Sequence, residues 1–222
     1  DVAASAPESS SQAPSSSSKP AASSSSKPVS SSASPGTVSE TVTGTVREMS
    51  ISNSGIQYEN MWVKNTNQYH DIDIAAELAK QPAVKMKKDG TKQILIYHTH
   101  TTEAFAGSSR TQDNSQNVVA VGEEIKKQLE AAGFGVVHDT TCHDYPSYNG
   151  SYDRSGETIQ RNLEKYPDIQ VTLDVHRDAM GTQDGMRIKP TALINGKKAA
   201  QVMIISGCDD DGTLGFPNWE YN

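Results

Sequence analysis

The sequence predicts an α/β fold: a mostly parallel central sheet flanked by helices, with a short β segment at its N-terminal side. Three observations carry this. The uncharged run Ile94-Leu95-Ile96-Tyr97 reads as a strand buried on both faces. From there to Val175, strand and helix patterns alternate, which is the order of right-handed crossover units. The first and third of these strands are each followed directly by histidine, His98 and His176. That carboxyl edge is where open α/β sheets bind ligands.

Residues 1–37 come first and are almost wholly Ser, Ala, Pro and Lys, with Ser-Ser-Ser-Ser-Lys-Pro occurring at 15–20 and again at 23–28. With no aromatic side chain, this segment buries too little surface to offset the entropy of ordering, and it is expected to be a disordered tether. The chain opens on Asp1 rather than Met. A membrane or export segment is therefore expected upstream, giving an extracytoplasmic protein anchored to the cell membrane. A cytosolic protein with a floppy tail is the alternative.

Residues 38–90 are expected to form a small lead-in of strands and one helix. Val46–Ile51 and Ile56–Val63 alternate as strands around the turn Asn53-Ser54-Gly55. Ile74–Lys80 has helical apolar spacing, with Asp73 as N-cap and Pro82 beyond its end.

Residues 91–222 are the expected catalytic domain. After strand Ile94–Tyr97 comes a polar stretch, then a helix over Asn117–Ala132 with Gly133 at its end. Strand Gly135–His138 follows, then a tyrosine-rich loop, a helix from Ser155 to Lys165, and strand Ile169–Val175. Asn195-Gly196 predicts a hairpin between Thr191–Ile194 and Ala200–Ser206. Asp209-Asp-Asp-Gly212 lacks the downstream Glu of a calcium loop and reads as a solvated turn. Cys142 and Cys208 read as free thiols rather than a disulfide framework.

Composition excludes some functions. The net charge is −7, and no basic patch is interleaved with aromatics, which argues against nucleic-acid binding. No run of apolar residues reaches the length of about 18 needed to span a bilayer.

The chemistry concentrates on His98-Thr-His100-Thr-Thr-Glu103. In a parallel sheet His176 meets this cluster at the same edge. His100, Glu103 and His176 supply two imidazoles and a carboxylate, the donor set of a catalytic Zn2+ site with an open position. His98, His138 and His143 are candidates for a ligand or for supporting a ligand. Tyr145, Tyr148, Tyr152 and Arg154, together with Arg177 and Asp178 beside His176, are candidate substrate-binding residues for a sugar- or peptide-containing polymer.

Six blocks in order carry a family resemblance. They are Ile96-Tyr-His-Thr-His-Thr-Thr-Glu103, Asn117-Val-Val-Ala-Val-Gly122, His138-Asp139, His143-Asp-Tyr-Pro146, Ser151-Tyr-Asp-Arg-Ser155 and Asp174-Val-His-Arg-Asp-Ala179. Together they resemble the stage II sporulation protein P family of endospore formers. The resemblance implies a zinc-dependent N-acetylmuramoyl-L-alanine amidase with endopeptidase activity on peptidoglycan cross-links, in the α/β fold related to phosphorylase/hydrolase-like carboxypeptidases. It implies action at the forespore septum during engulfment, beside stage II sporulation proteins D and M.

Two departures stand out. The broader zinc amidases take their second ligand from a Glu near the start of the following helix, where this chain has Asp113, Asn114 and Asn117, with Glu123 and Glu124 already inside the helix. The family's general-base Glu sits in a Leu-Ile-Glu-Val-Gly-like stretch, and residues up to Asn222 contain none. The base is therefore expected beyond Asn222, with the domain incomplete. Two alternatives follow: a zinc carboxypeptidase or amidohydrolase acting on a free peptide, and a non-catalytic wall-binding module.

Overall fold

Residues 36–51, 55–58, 61–105 and 108–221 are described by the computed structural model. Most of the expected tether lies outside them, as do the turn residues Asn53 and Ser54. The tether's last two residues are described and form strand β1, Gly36–Thr37.

The leading strands do not form the predicted hairpin. β2 (Thr41–Thr43) pairs antiparallel with β3 (Val46–Met49) around Gly44, whose φ of 59° suits the tight reversal. β4 (Ile56–Tyr58) instead pairs antiparallel with β5 (Met61–Val63). α1 (Ile74–Leu78) follows, and the Asp73 side chain accepts from Ala76 N–H as predicted.

β6 (Lys92–Tyr97) is the centre of the parallel sheet, and Gln93 through Ile96 are buried on both faces. α2 (Val118–Ala131) leads to β7 (Gly135–His138) on one side of β6. α3 (Ser151–Lys165) leads to β8 (Val171–Asp174) on the other side. The sheet order is β7-β6-β8, so the two crossovers run in opposite directions. Right-handed connections then put the two helices on opposite faces of the sheet, which explains the two-sided burial of β6. Ile94, Ile96 and Val136 form the core, packed by Ile125, Leu129, Phe134, Leu173 and Val175.

α2 ends in a Schellman motif: Phe134 N–H donates to Leu129 O and Gly133 N–H to Glu130 O, with Gly133 at φ 96°. α3 begins at Ser151, four residues earlier than predicted. Its buried stripe, Ser151, Ser155, Thr158 and Asn162, is polar, so apolar periodicity does not reveal its first turn.

β9 (Arg187–Ile194) and β10 (Lys197–Ala200) make the predicted hairpin, with Asn195 at φ 52° and Gly196 at φ 74°. Pairing starts directly after this two-residue turn, so β10 covers Lys197–Ala200 and not Ala200–Ser206. Val202 and Ile204 beyond it are 86% and 90% exposed. β9 also pairs parallel with β3 and antiparallel with β1, so the N-terminal strands join a sheet with the C-terminal hairpin. A short 3-10 turn, Trp219–Tyr221, closes the described chain.

The turn at Asp209 is not merely solvated. Asp209 is buried and accepts from Leu214 and Phe216 N–H. Asp210 accepts from Gln68 and Tyr69 N–H and sits 2.7 Å from His70 Nδ1, which ties the tail to the lead-in. Cys142 and Cys208 are free thiols.

Candidate functional site

The register Tyr97↔Asp174 brings the carboxyl ends of β6 and β8 level, so the residues after each strand meet. Thr99 N–H donates to Asp174 Oδ1 at 2.9 Å and Thr99 Oγ1 to Asp174 Oδ2 at 2.6 Å. Val175 N–H donates to Tyr97 O at 3.0 Å. These bonds lock the Asp174-Val-His176 segment onto the end of the central strand.

His176 lies between two carboxylates. Its Nε2 is 2.9 Å from Asp174 Oδ2 and its Nδ1 is 3.6 Å from Glu103 Oε2. The hydrogen bond that the ring donates to Asp174, then the one toward Glu103, push the imidazole pKa up to about 10. Burial alone would raise the Glu103 pKa, but the interactions with His176 and Arg177 N–H outweigh it and hold the carboxyl below its ordinary value.

Glu103 is fixed by its backbone as well. Its N–H donates to His100 O, and its carbonyl accepts from Val118 N–H, the first residue of α2. Its side chain accepts from Arg177 N–H at 2.7 Å. The Asn117 cap, which accepts from Val119 N–H, starts α2 at the point where the helix can hold Glu103.

His100 is packed among aromatics. Tyr148 stacks on its ring at 4.4 Å with an interplanar angle of 9°, and Tyr152 meets it edge-on at 5.4 Å. Its ring centroid is 5.3 Å from that of His176. Ser151 Oγ lies 3.3 Å from Nδ1 and the Tyr148 hydroxyl 3.1 Å from Nε2. The Tyr148 hydroxyl and ring thus both engage His100. Burial lowers the His100 pKa, favouring the neutral form that ligation needs.

The structure thus gathers His100, Glu103 and His176 at one edge. The 3.6 Å between His176 Nδ1 and Glu103 Oε2 is near the separation of about 3.4 Å that two donors subtend on a tetrahedral zinc. As they stand, no three His, Cys, Asp or Glu side chains among the described residues converge tightly enough to hold a metal ion. Both nitrogens of His100 are instead within reach of hydroxyls, Nδ1 of Ser151 and Nε2 of Tyr148.

The other histidines support the backbone. His98 is fully buried; its Nδ1 is 3.0 Å from Val175 O and its Nε2 2.9 Å from His138 Nε2. Burial is the main cause that pushes its pKa down to about 4. His143, also buried, lies between His98 O at 2.7 Å and Thr158 Oγ1 at 2.9 Å.

Among the candidate substrate residues, Tyr145, Tyr148 and Tyr152 are exposed. Tyr152 and Arg154 lie in the first turn of α3, not in the loop. Arg154 spends its guanidinium on the carbonyls of His143, Ser147 and Asn149. Arg177 donates to Ser109 O, and Asp178 accepts from Ala179 N–H.

Sequence reasoning missed Asp174, Thr99, Ser151 and Arg110. Asp174 had a visible signal, since Asp-x-His at a strand end puts carboxylate and imidazole on one side. Arg110 had none. It pairs with buried Asp144 and lies 4.7 Å over the Tyr148 ring, completing the stack on His100.

Among curated proteins the chain is similar to stage II sporulation protein P of Bacillus subtilis (strain 168). The two are 28% identical over 144 residues, covering 58% of this chain and 34% of that protein. The chain therefore spans about a third of the length of the curated relative it matches. No solved structure matches it. The family model described as stage II sporulation protein P matches residues 5–222. With that match across nearly the whole sequence, the chain belongs to the stage II sporulation protein P family, a family of sporulation proteins.

Proposed function

We propose that the protein is a zinc-dependent peptidoglycan hydrolase of the engulfment septum, cleaving the amide between N-acetylmuramic acid and L-alanine and acting also on peptide cross-links. One observation carries the reading: His100, Glu103 and His176 meet at the carboxyl edge of the parallel sheet, with Asp174 on the far nitrogen of His176. A carboxylate behind a ligating imidazole fixes its orientation and raises its basicity.

Zinc held by His100, Glu103 and His176 would supply a Lewis acid for the amide carbonyl and lower the pKa of a water. The chain's residues do the rest. Asp174 keeps the Nδ1 edge of His176 toward Glu103. Arg177 N–H orients the Glu103 carboxylate. Tyr148 and Tyr152 form an exposed aromatic wall beside His100, suited to the face of a sugar or the side of a stem peptide.

In the same reading the protein acts outside the cytoplasm, anchored at the membrane, beside stage II sporulation proteins D and M. Among the described residues no helix is long and apolar enough to cross a membrane.

The test is digestion of purified sacculi by the full-length protein, with the released ends identified by mass spectrometry. Stem peptides with a free L-alanine amine are expected, with loss of release on chelation or on His176→Ala. Release that survives both would sink the proposal. Cleavage of a free peptide with intact sacculi would favour a carboxypeptidase instead. Binding to sacculi without release would favour a wall-binding module.

A further inference from the structure

We propose that Gly122, Glu123 and His138 are positioning residues for the candidate metal site, acting through His98 on the peptide that carries His176. The inference rests on the metal reading above and assigns a role to helix α2, which bears no ligand.

Hydrogen-bond distances define the chain of contacts. Val175 O can only accept, so His98 Nδ1, 3.0 Å away, carries the hydrogen. Beyond it, His98 Nε2 lies 2.9 Å from His138 Nε2. His138 Nδ1 in turn lies 3.0 Å from Glu123 Oε2. The order of contacts is Glu123, His138, His98, Val175 O.

The far end of this chain is the residue before His176. Val175 is held on both sides, its N–H on Tyr97 O and its carbonyl on His98. The plane of that peptide sets where the His176 side chain leaves the backbone. If the His98 ring turned, Val175 O would lose its partner and the His176 backbone would gain freedom.

Gly122 shows that α2 is built to fit the pair. A Cβ there would lie 2.6 Å from His138 Nε2, 2.8 Å from His98 Cε1 and 2.9 Å from His98 Nε2. A glycine in a helix interior is destabilising relative to alanine. Here it lets the helix lie directly on two imidazoles. Glu123, the next residue, then reaches His138 from a side chain that is 61% exposed.

The test uses the 222-residue chain, stripped of metal, and its variants E123Q, G122A, H138Q and H138L. Zinc affinity is read by competition with a chromophoric chelator, the visible spectrum of the Co2+ form reports ligand geometry, and melting of the metal-free protein reports folding. E123Q and G122A are expected to weaken zinc binding about 10- to 100-fold and to alter the Co2+ spectrum. H138Q, which keeps a polar partner for His98, is expected to retain more affinity than H138L. E123Q changes an exposed group and is expected to melt like the parent, which separates aim from folding. Unchanged affinity and spectrum in E123Q and G122A would overturn the proposal. Failure of the unsubstituted chain to bind zinc would overturn the metal reading together with it, and would show before any variant is made.

Discussion

Asp174 and Glu103 grip His176 from opposite nitrogens, at 2.9 Å and 3.6 Å. The nitrogen facing Glu103 is the one free to exchange a proton for a metal, and Asp174 holds the other. Asp174→Asn keeps the shape and removes the charge. Zinc affinity is expected to fall about 10- to 100-fold, as measured by isothermal titration. The metal-free His176 is expected to titrate at lower pH, which NMR of its ring protons would show. An unchanged affinity would mean that Asp174 serves only the strand end.

Tyr148→Ala removes the parallel ring on His100 and the platform under Arg110. Stacked aromatic pairs contribute about 0.5–1.5 kcal/mol beyond their area, so a stability loss of that order is expected in urea unfolding. Binding to sacculi is expected to weaken more than the stability change explains. Tyr148→Phe should retain the stack.

Acid is expected to destabilise the metal-free protein through His98. Its folded pKa, about 4, lies below the ordinary 6.5, so the unfolded chain takes up this proton first. The contribution is fully present above the unfolded value and is lost as pH falls from there through the folded one. It amounts to about 3 kcal/mol. Urea midpoints between those two limits should show the loss, and it should shrink in a His98→Gln variant. A flat profile over that range would count against a buried neutral imidazole.

Asn117→Ala is expected to cost about 1–2 kcal/mol, at the upper end for a helix cap. The side chain caps Val119 N–H and also bonds Thr111 O and Asn114. Because α2 starts against the Glu103 carbonyl, metal affinity should fall with stability in this variant.

Ile204→Lys should leave folding unchanged within about 0.5 kcal/mol, since the residue is 90% exposed. The run Val202-Met-Ile-Ile205 is uncharged, aliphatic and unpaired, which favours strand-to-strand association. Light scattering at high concentration is expected to drop in the variant.

What was legible in the sequence follows from periodicity and end chemistry. β6 announces itself as an unbroken apolar run, and α2 by its apolar spacing with Asn117 before it and Gly133 after it. His100 and His176 are legible because they follow strands on a shared edge. The first turn of α3 is not legible, because its buried face is made of Ser, Thr and Asn that hydrogen-bond to strand-end residues. The pairing of β3 with β9 is hidden for another reason: alternation marks a strand but does not name its partner 141 residues away, as Glu48 and Lys189 are. The stack of Arg110 on Tyr148 joins two loops and has no local pattern at all.

The register between β6 and β8 also has a kinetic meaning. β6 and β7 are joined by a single helical crossover, whereas β8 lies two crossovers along the chain from β6, with Ile94 opposite Val171. Closing that longer loop costs entropy before any contact rewards it. Asp174 and His176 are therefore expected to reach Glu103 late in folding. Under the proposed zinc reading, uptake of metal would report that the last parallel strand has docked.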